Sequence, residues 1–205
     1  STLATASGLH PFLRLLFAQF GSRHCSRCGA SLSMLTEDEI VEKLATLARA
    51  GPITVLTPVM RGVRGSHRTL LGLLAREFGL DVVLADGRPL KHDELDPNQE
   101  HTIEILVGRF DRRAGADDIR RAVEASRALG ANSVRTEGRG AEEMSFAPVC
   151  GRCGLWFADL EPVHFNTSCP HCRGKGCDSC GGTGLHPEAA SVRWQGLRLP
   201  DLLAM

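Results

Sequence analysis

The chain of 205 residues lacks the features that mark several specialised classes of protein. No apolar run approaches the roughly 18 to 20 residues that a membrane span needs, so we expect no membrane insertion. The opening residues, Ser1 to Ala4, are not a basic segment ahead of a long apolar core, so we expect no signal peptide. The 24 basic and 24 acidic side chains leave no net charge, which argues against a uniformly basic nucleic-acid binder. A hydrophobic fraction of 42% argues against a mainly disordered chain.

No cysteine stands alone, because all eight fall into four Cys-x-x-Cys pairs: Cys25/Cys28, Cys150/Cys153, Cys169/Cys172 and Cys177/Cys180. A disulfide-stapled secreted domain would have longer and less regular spacings. Two residues between cysteines let one turn aim two thiolates at one ion, and two such turns complete a tetrahedral zinc site. The spacing therefore predicts two structural Zn²⁺ sites that use all eight thiols. The alternatives are buried thiols or a redox pair, but a redox pair needs no second pair beside it.

About 120 residues without cysteine separate the first pair from the other three, which suggests an insertion within a metal-held scaffold. We predict three regions: residues 1–30 with a scaffold helix and the first knuckle, 31–145 as the insertion, and 146–205 as a zinc-knuckle region. The fold class we expect is α+β, a small mixed α/β insertion domain on a zinc-knuckle scaffold.

Local patterns within the insertion support this class. Thr36 and Glu39 form a capping box ahead of apolar residues at helical spacing. Ser66 is suited to cap a second helix that ends at Gly79. The remaining predicted elements are strands at 52–59, 82–84, 101–110 and 133–135, a helix at 117–129, and, beyond the insertion, a strand at 191–194 and a helix from 199.

The third and fourth pairs stand in a tandem repeat, Cys-x-x-Cys-x-Gly-x-Gly, at residues 169–176 and 177–184. Glycine is suited to these positions because backbone amides must turn towards the thiolates and a Cβ would obstruct that approach. The repeat therefore favours metal-binding knuckles over other uses of cysteine.

Several motifs together resemble the UvrA family of excinuclease components, in the order that the family has them. They are Ser1-Thr2 with Thr5, Phe12 to Ala18, His24-Cys25-x-x-Cys28-Gly29, Thr57 to Gly62 with Gly65 and His67, Asp86-Gly87, His101 to Phe110, and the knuckles from Cys150 to Ala189. The resemblance spans nearly the whole chain and implies part of an ABC-type ATPase, near its signature region, that carries the UvrB-interacting insertion.

The resemblance implies a cytoplasmic protein of nucleotide excision repair, which dimerises, binds damaged duplex DNA and loads a UvrB-like protein. The chain holds neither a Gly-x-x-x-x-Gly-Lys-Ser/Thr phosphate loop nor a Leu-Ser-Gly-Gly signature. We therefore expect ATP to bind only elsewhere in the parent protein, and no catalysis from these residues.

Three departures from the family pattern indicate a divergent paralogue and weaken the expectation of UvrB binding. Only four residues separate Cys172 from Cys177, where the family typically has a long stretch. Gly184 and His186 stand where arginines are common. The strand before Asp86-Gly87 has no arginine, although the family commonly has them there.

The tandem repeat also resembles the zinc domain of DnaJ-type chaperones, which offers an alternative function as a chaperone-like protein-binding module. In that family nested repeats pair, whereas adjacent pairing here would require a tight four-residue reversal. The resemblance therefore favours Cys150/Cys153 with Cys169/Cys172, and Cys25/Cys28 with Cys177/Cys180.

Residues 43–76 hold six basic side chains and no Asp or Glu. Four candidate contact residues lie in and just after a glycine-rich loop: Arg61, Arg64, His67 and Arg68. Such a cluster suits phosphates or an acidic protein surface, although a solvated face is the alternative. Arg109 matches a basic position in the family's UvrB-contacting insertion and completes the predicted partner-binding set.

Overall fold

The structure, a computed structural model, describes residues 8–92, 94–138 and 140–204. Residues 1–7, with the Ser1-Thr2 and Thr5 part of the resemblance, lie outside the described residues. The chain divides into two compact units, one formed by Ser1–Ser33 with Leu155–Met205 and the other by Met34–Gly154. The predicted boundaries after residues 30 and 145 stay predictions. Within the described ranges no helix has both the length and the apolar character needed to cross a membrane.

The described elements confirm the α+β class. The helices in chain order are α1 (His10–Phe20), α2 (Glu37–Ala50), α3 (Arg68–Phe78), α4 (Ala116–Ala128), α5 (Pro187–Ala190) and α6 (Leu199–Leu203). The strands are β1 (Ile53–Arg64), β2 (Val83–Ala85), β3 (Arg88–Pro89), β4 (Glu100–Phe110), β5 (Ser133–Gly138) and β6 (Glu143–Ser145). Two 3₁₀ helices, Pro162–Asn166 and Asp178–Cys180, accompany the knuckles.

Helix α2 begins at the predicted capping box. The Thr36 hydroxyl accepts the Glu39 amide at 3.2 Å, and the Glu39 carboxylate accepts the Thr36 amide at 2.7 Å. Acidic residues in the first turn of α2 also stabilise the helix, because they lie at the positive end of its dipole. The helix then buries one apolar face, formed by Ile40, Val41, Leu44 and Ala48.

The larger unit is built on a six-stranded antiparallel sheet with the strand order β3-β2-β4-β1-β5-β6. Strands β1 and β4 are the long central pair, in register from Ile53 opposite Phe110 to Arg64 opposite Glu100. Helices α2 and α4 pack on β1 and β5 in one core cluster, and α3 packs on β2 and β4 in a second. The register of β1 against β4 therefore sets where Arg61, Arg64 and Arg109 lie along the sheet.

Three predicted details differ from the structure. Strand β1 does not end near Pro58, as predicted, but continues to Arg64. Its pairing with β5 ends at Leu56, so Pro58 lies where β1 pairs only with β4. A proline, which has no N–H to donate, is tolerated at such a position. His67, with φ 51°, is the N-cap of α3 and makes no side-chain cap bond, so the predicted Ser66 cap is wrong. The predicted strand at 191–194 is wrong too, because Gln195 and Gly196, with φ 51° and 83°, turn the chain immediately after Trp194.

The smaller unit has its own apolar core around α1. Phe17 is fully buried, with ring centroids 6.0 Å from Phe165 and 6.1 Å from Trp194. Arg23 links two other segments of this unit, because its Nη2 donates at 2.6 Å to both the Glu188 carboxylate and the Ala158 carbonyl oxygen. This core supports the segment that carries the tandem repeat.

Candidate metal centres and basic segment

The tandem repeat brings its four thiols into one group, Cys169, Cys172, Cys177 and Cys180. The Sγ atoms of Cys169 and Cys177 are 3.9 Å apart, and those of Cys172 and Cys180 are 3.8 Å apart. Four sulfurs at the corners of a tetrahedron, each about 2.3 Å from a Zn²⁺, would be separated by about 3.8 Å. The spacing thus fits a zinc ion, and it is too long for disulfide bonds within this group.

Backbone amides face these sulfurs in a repeated way. The amide of Gly176 donates to Sγ of Cys172 at 3.2 Å, and the amide of Gly184 donates to Sγ of Cys180 at 3.3 Å. Burial alone would raise the pKa of the Cys180 thiol. Amide bonds from Cys177 and Gly184, with neighbouring thiols, outweigh burial and lower that pKa to about 6. The group is therefore suited to holding thiolates, the form that binds a metal.

Glycines at matched positions of the two repeats pack against each other. A Cβ on Gly176 would lie 2.7 Å from the carbonyl oxygen of Gly182, and one on Gly184 would clash with the carbonyl of Gly174. Gly176 and Gly184 also have φ of 89° and 73°, in the left-handed region that favours glycine. The sequence repeat therefore corresponds to an interlocked pair of knuckles.

The observed grouping corrects the predicted pairing of the knuckles. Adjacent repeats share one group, so Cys169/Cys172 does not pair with Cys150/Cys153 and Cys177/Cys180 does not pair with Cys25/Cys28. The four-residue reversal is possible because Arg173, Gly174 and Gly176 have φ of 51°, 90° and 89°. Within the tandem group the four ligand atoms lie within 4.8 Å of one another, so this group can hold a metal ion.

The predicted contact residues separate into two places. Residues 61–68, which we call the basic segment, hold four of them, and Arg64 and Arg68 are exposed there. Arg109 lies opposite Thr54, at the other end of the β1–β4 pair from Arg64. Ten residues of extended strand span about 33 Å, so Arg109 cannot share a small contact with the basic segment.

Arg61 and His67 are engaged within the unit. Arg61 is only 18% exposed; its Nη2 donates to the Ser133 hydroxyl at 3.0 Å, and its Nη1 lies 3.6 Å from Glu143. The His67 Nε2 lies 2.8 Å from the Val63 carbonyl oxygen and so donates to it. Arg64 and Arg68 are therefore the members of the basic segment best placed to meet a partner.

Arg109 lines an open groove of about 1020 Å³ at the far end of the sheet. Val107, Phe110 and Ala122 supply apolar lining, and Arg113 and Arg121 lie along the same groove. A Cβ on Gly108 would overlap the Phe110 ring, so the glycine allows that ring to fold back along the strand. The groove places Arg109 among apolar and charged side chains of both signs, Asp118 and Glu137 included, an arrangement that the sequence did not indicate.

Sequence reasoning missed two polar pairs in the larger unit, each with one buried member, Glu104 in the first and His101 in the second. The Glu104 side chain is only 4% exposed and accepts from Arg135 Nε and Nη2 at 2.5 and 2.6 Å. This pairing raises the pKa of Arg135 far above its usual range. The second pair is His101 with Asp86. The only feature of the sequence that indicated this pair is a histidine at the start of an alternating apolar strand. Nothing in the sequence pattern identifies Asp86, 15 positions earlier, as its partner.

Residues 36–139 match the sequence model of the UvrA interaction domain. The chain belongs to the UvrA family. The matched range contains all five predicted contact residues and none of the eight cysteines. The matched range thus holds the three helices and five of the six described strands of the sheet, from the N-cap of α2 to the end of β5, and leaves out β6.

Curated members of the UvrA family resemble the chain well beyond that range. UvrABC system protein A of Clostridium acetobutylicum is 35% identical over 191 residues, which is 90% of this chain and 20% of the relative. The proteins of that name from Bacillus subtilis and Aquifex aeolicus are each 30% identical over 92% of this chain. The chain spans about a fifth of the length of these relatives.

Proposed function

We propose that this chain is the protein-interaction and DNA-damage-recognition module of a UvrA-like ATPase in nucleotide excision repair. The observation that carries the proposal is the match of residues 36–139, which form three helices and five of the six described strands of the sheet, to the UvrA interaction domain. The partner implied by that domain is a UvrB-like protein.

The basic segment supplies a surface with the right chemistry for such a partner. Arg64 and Arg68 are exposed, and no acidic side chain occurs between residues 43 and 76. An exposed guanidinium pair of this kind attracts an acidic protein surface and accelerates encounter. We propose that Arg64 and Arg68 carry most of the contact, with Arg109 contributing at a separate point.

Two structural Zn²⁺ ions are the cofactors that we propose, on the strength of the four Cys-x-x-Cys pairs and the geometry of the tandem group. Four thiol ligands close the coordination shell and leave no position for a substrate, so the role is structural. The ion would hold each pair of knuckles together, and the neighbouring residues would not take part in catalysis.

We further propose that ATP, damaged duplex DNA and homodimerisation belong to the parent protein, with the cytoplasm as its compartment. The chain itself has no Gly-x-x-x-x-Gly-Lys-Ser/Thr segment, so its residues provide no phosphate cradle. The alternative of a chaperone-like module has less support, because its resemblance implied nested pairing and adjacent repeats group here.

Calorimetric titration with purified UvrB tests the proposed function. We expect Arg64→Ala with Arg68→Ala to weaken binding about tenfold, because two exposed charge contacts are lost. A matched control removes two exposed arginines that lie outside the basic segment, on α2 and α4. This variant, Arg49→Ala with Arg120→Ala, should leave the Kd for UvrB within about twofold. Absence of binding by the unaltered chain would overturn the proposal.

A further inference from the structure

The ring of His101 has a hydrogen-bond acceptor on each side. Its Nδ1 lies 2.7 Å from Oδ2 of Asp86, and its Nε2 lies 2.8 Å from the carbonyl oxygen of Asp96. The other Asp86 oxygen, Oδ1, accepts the Thr102 amide at 2.9 Å, as an ionised carboxylate does. A carbonyl and a carboxylate both accept, so both ring nitrogens must donate. The two acceptors thus suit a doubly protonated ring at His101, which is 4% exposed.

The backbone that His101 holds is bonded directly to the basic segment. On one side of Asp96, the Leu95 amide donates to the Ser66 carbonyl at 3.0 Å. On the other side, the Gly65 amide donates to the Gln99 carbonyl at 3.3 Å. His101 itself lies opposite Val63 in the β1–β4 register. One ring thus fixes the stretch 95–99, and that stretch fixes the turn between Arg64 and Arg68.

The charges around His101 favour its protonated form. Asp86 faces Nδ1, and the side chain of Asp96 is held nearby by bonds from Asn98 and Gln99. The next register pair is Arg64 with Glu100. The ring of His67 meets His101 edge-on, with centroids 6.1 Å apart.

The hydrogen bond to Asp86, followed by the bond to the Asp96 carbonyl, raises the pKa of His101. Bonds from His101 and the Thr102 amide lower the pKa of Asp86, although burial opposes them. We call the two hydrogen bonds of the His101 ring, to Asp86 and to the Asp96 carbonyl, the clasp. The clasp is complete below the ordinary histidine pKa of about 6.5 and is lost as pH rises through the raised pKa of His101. A neutral ring can donate from only one nitrogen, so one of its two bonds must then break.

We propose that His101 is a positioning residue for the partner-binding basic segment, and that loss of its proton loosens this segment and weakens partner binding. The inference rests on the proposed function only in naming the basic segment as the partner surface. His101 touches no partner itself. It acts through residues 95–99, which align the backbone between Arg64 and Arg68.

Amide protection measured by NMR on the whole chain tests the positioning role without any partner. Between about pH 6 and about pH 9, we expect the protection factors of Gly65 and Leu95 to fall about tenfold, as one charge-assisted bond is lost. The His101→Gln variant should have low protection at both pH values. The control His92→Gln, which removes an exposed histidine, should keep the wild-type profile. Constant protection in the wild type would overturn the inference.

Binding of purified UvrB at the same two pH values tests the consequence. We expect the Kd of the wild type and His92→Gln to rise about fivefold more than that of His101→Gln as the pH is raised. If UvrB binds at neither pH, the proposed function fails, while the amide measurement still decides the role of His101. If binding occurs with the same pH dependence in all three proteins, the proposed function stands and the inference fails.

Should His101→Gln not fold, the wild type alone decides the matter. Ring nitrogen chemical shifts report whether both nitrogens of His101 carry protons. We expect both to be protonated at about pH 6, below the ordinary histidine pKa, and to lose one proton in the range where Gly65 and Leu95 lose protection. A ring that is singly protonated at about pH 6 would contradict the inference.

Discussion

A Cβ on Gly176 would lie 2.7 Å from the carbonyl oxygen of Gly182 in the neighbouring repeat. Gly176 also donates its amide to Sγ of Cys172, so a shift of this residue would move a ligand. We expect Gly176→Ala to lower the zinc content from two ions to about one per chain, measured by elemental analysis after purification in reductant.

Gly182 supplies the matched control for this substitution. It has a left-handed φ of 78°, close to the 89° of Gly176, but nothing lies within 4 Å of where its Cβ would be. Backbone strain is therefore common to both variants, and only the close approach differs. Equal zinc loss in Gly182→Ala would show that strain alone, rather than interlocking, explains the glycines.

Glu104→Gln tests the buried pair with Arg135. The carboxylate accepts two bonds from the guanidinium and is almost fully buried, so the variant leaves a partly buried cation without its counter-charge. We expect the free energy of unfolding to fall by about 3 kcal/mol, measured by urea denaturation. Glu137→Gln removes an exposed partner of the same arginine and should cost less than about 1 kcal/mol. Similar losses of stability in both variants would show that the difference in burial between Glu104 and Glu137 does not determine the cost.

The pairing of knuckles shows what the sequence could and could not predict. Cys-x-x-Cys spacing was sufficient to name all eight thiols, because two residues of separation allow one turn to present both. The partition was predicted wrongly because it depends on Arg173, a non-glycine residue that adopts φ of 51° beside two left-handed glycines. A sequence pattern does not report that conformation.

The same contrast holds in the larger unit. The capping box of Thr36 and Glu39 is local, so the start of α2 was predictable. The clasp between His101 and Asp86 depends on strand register, which brings residues 15 apart together across β2 and β4. Register also separates Arg109 from the basic segment, although both carry the same chemical signal in the sequence.

Gly72→Ala is expected to stabilise the protein. Gly72 lies within α3, and its added Cβ would meet open space. Glycine within a helix is less favourable than alanine by roughly 0.5–1 kcal/mol, so we expect a gain of about that size in urea denaturation. A loss of stability would mean that α3 does not have a regular helical conformation at this residue.

Arg61→Ala and Arg64→Ala should affect different properties. Arg61 is largely buried against Ser133 and Glu143, so its loss should lower the free energy of unfolding by about 1–2 kcal/mol. Arg64 is exposed, so its loss should change stability by less than about 0.5 kcal/mol while weakening UvrB binding. Urea denaturation and calorimetry on both variants check this division. If Arg64→Ala proved the more destabilising variant, our assignment of the two arginines would be wrong.

The most direct measurement of UvrB binding through the basic segment is hydrogen–deuterium exchange of the whole chain with and without UvrB. We predict that UvrB slows exchange in residues 61–68, with little change in the tandem knuckles at 169–184. Slowing confined to the knuckles, or no slowing anywhere in the basic segment while UvrB is bound, would contradict that prediction.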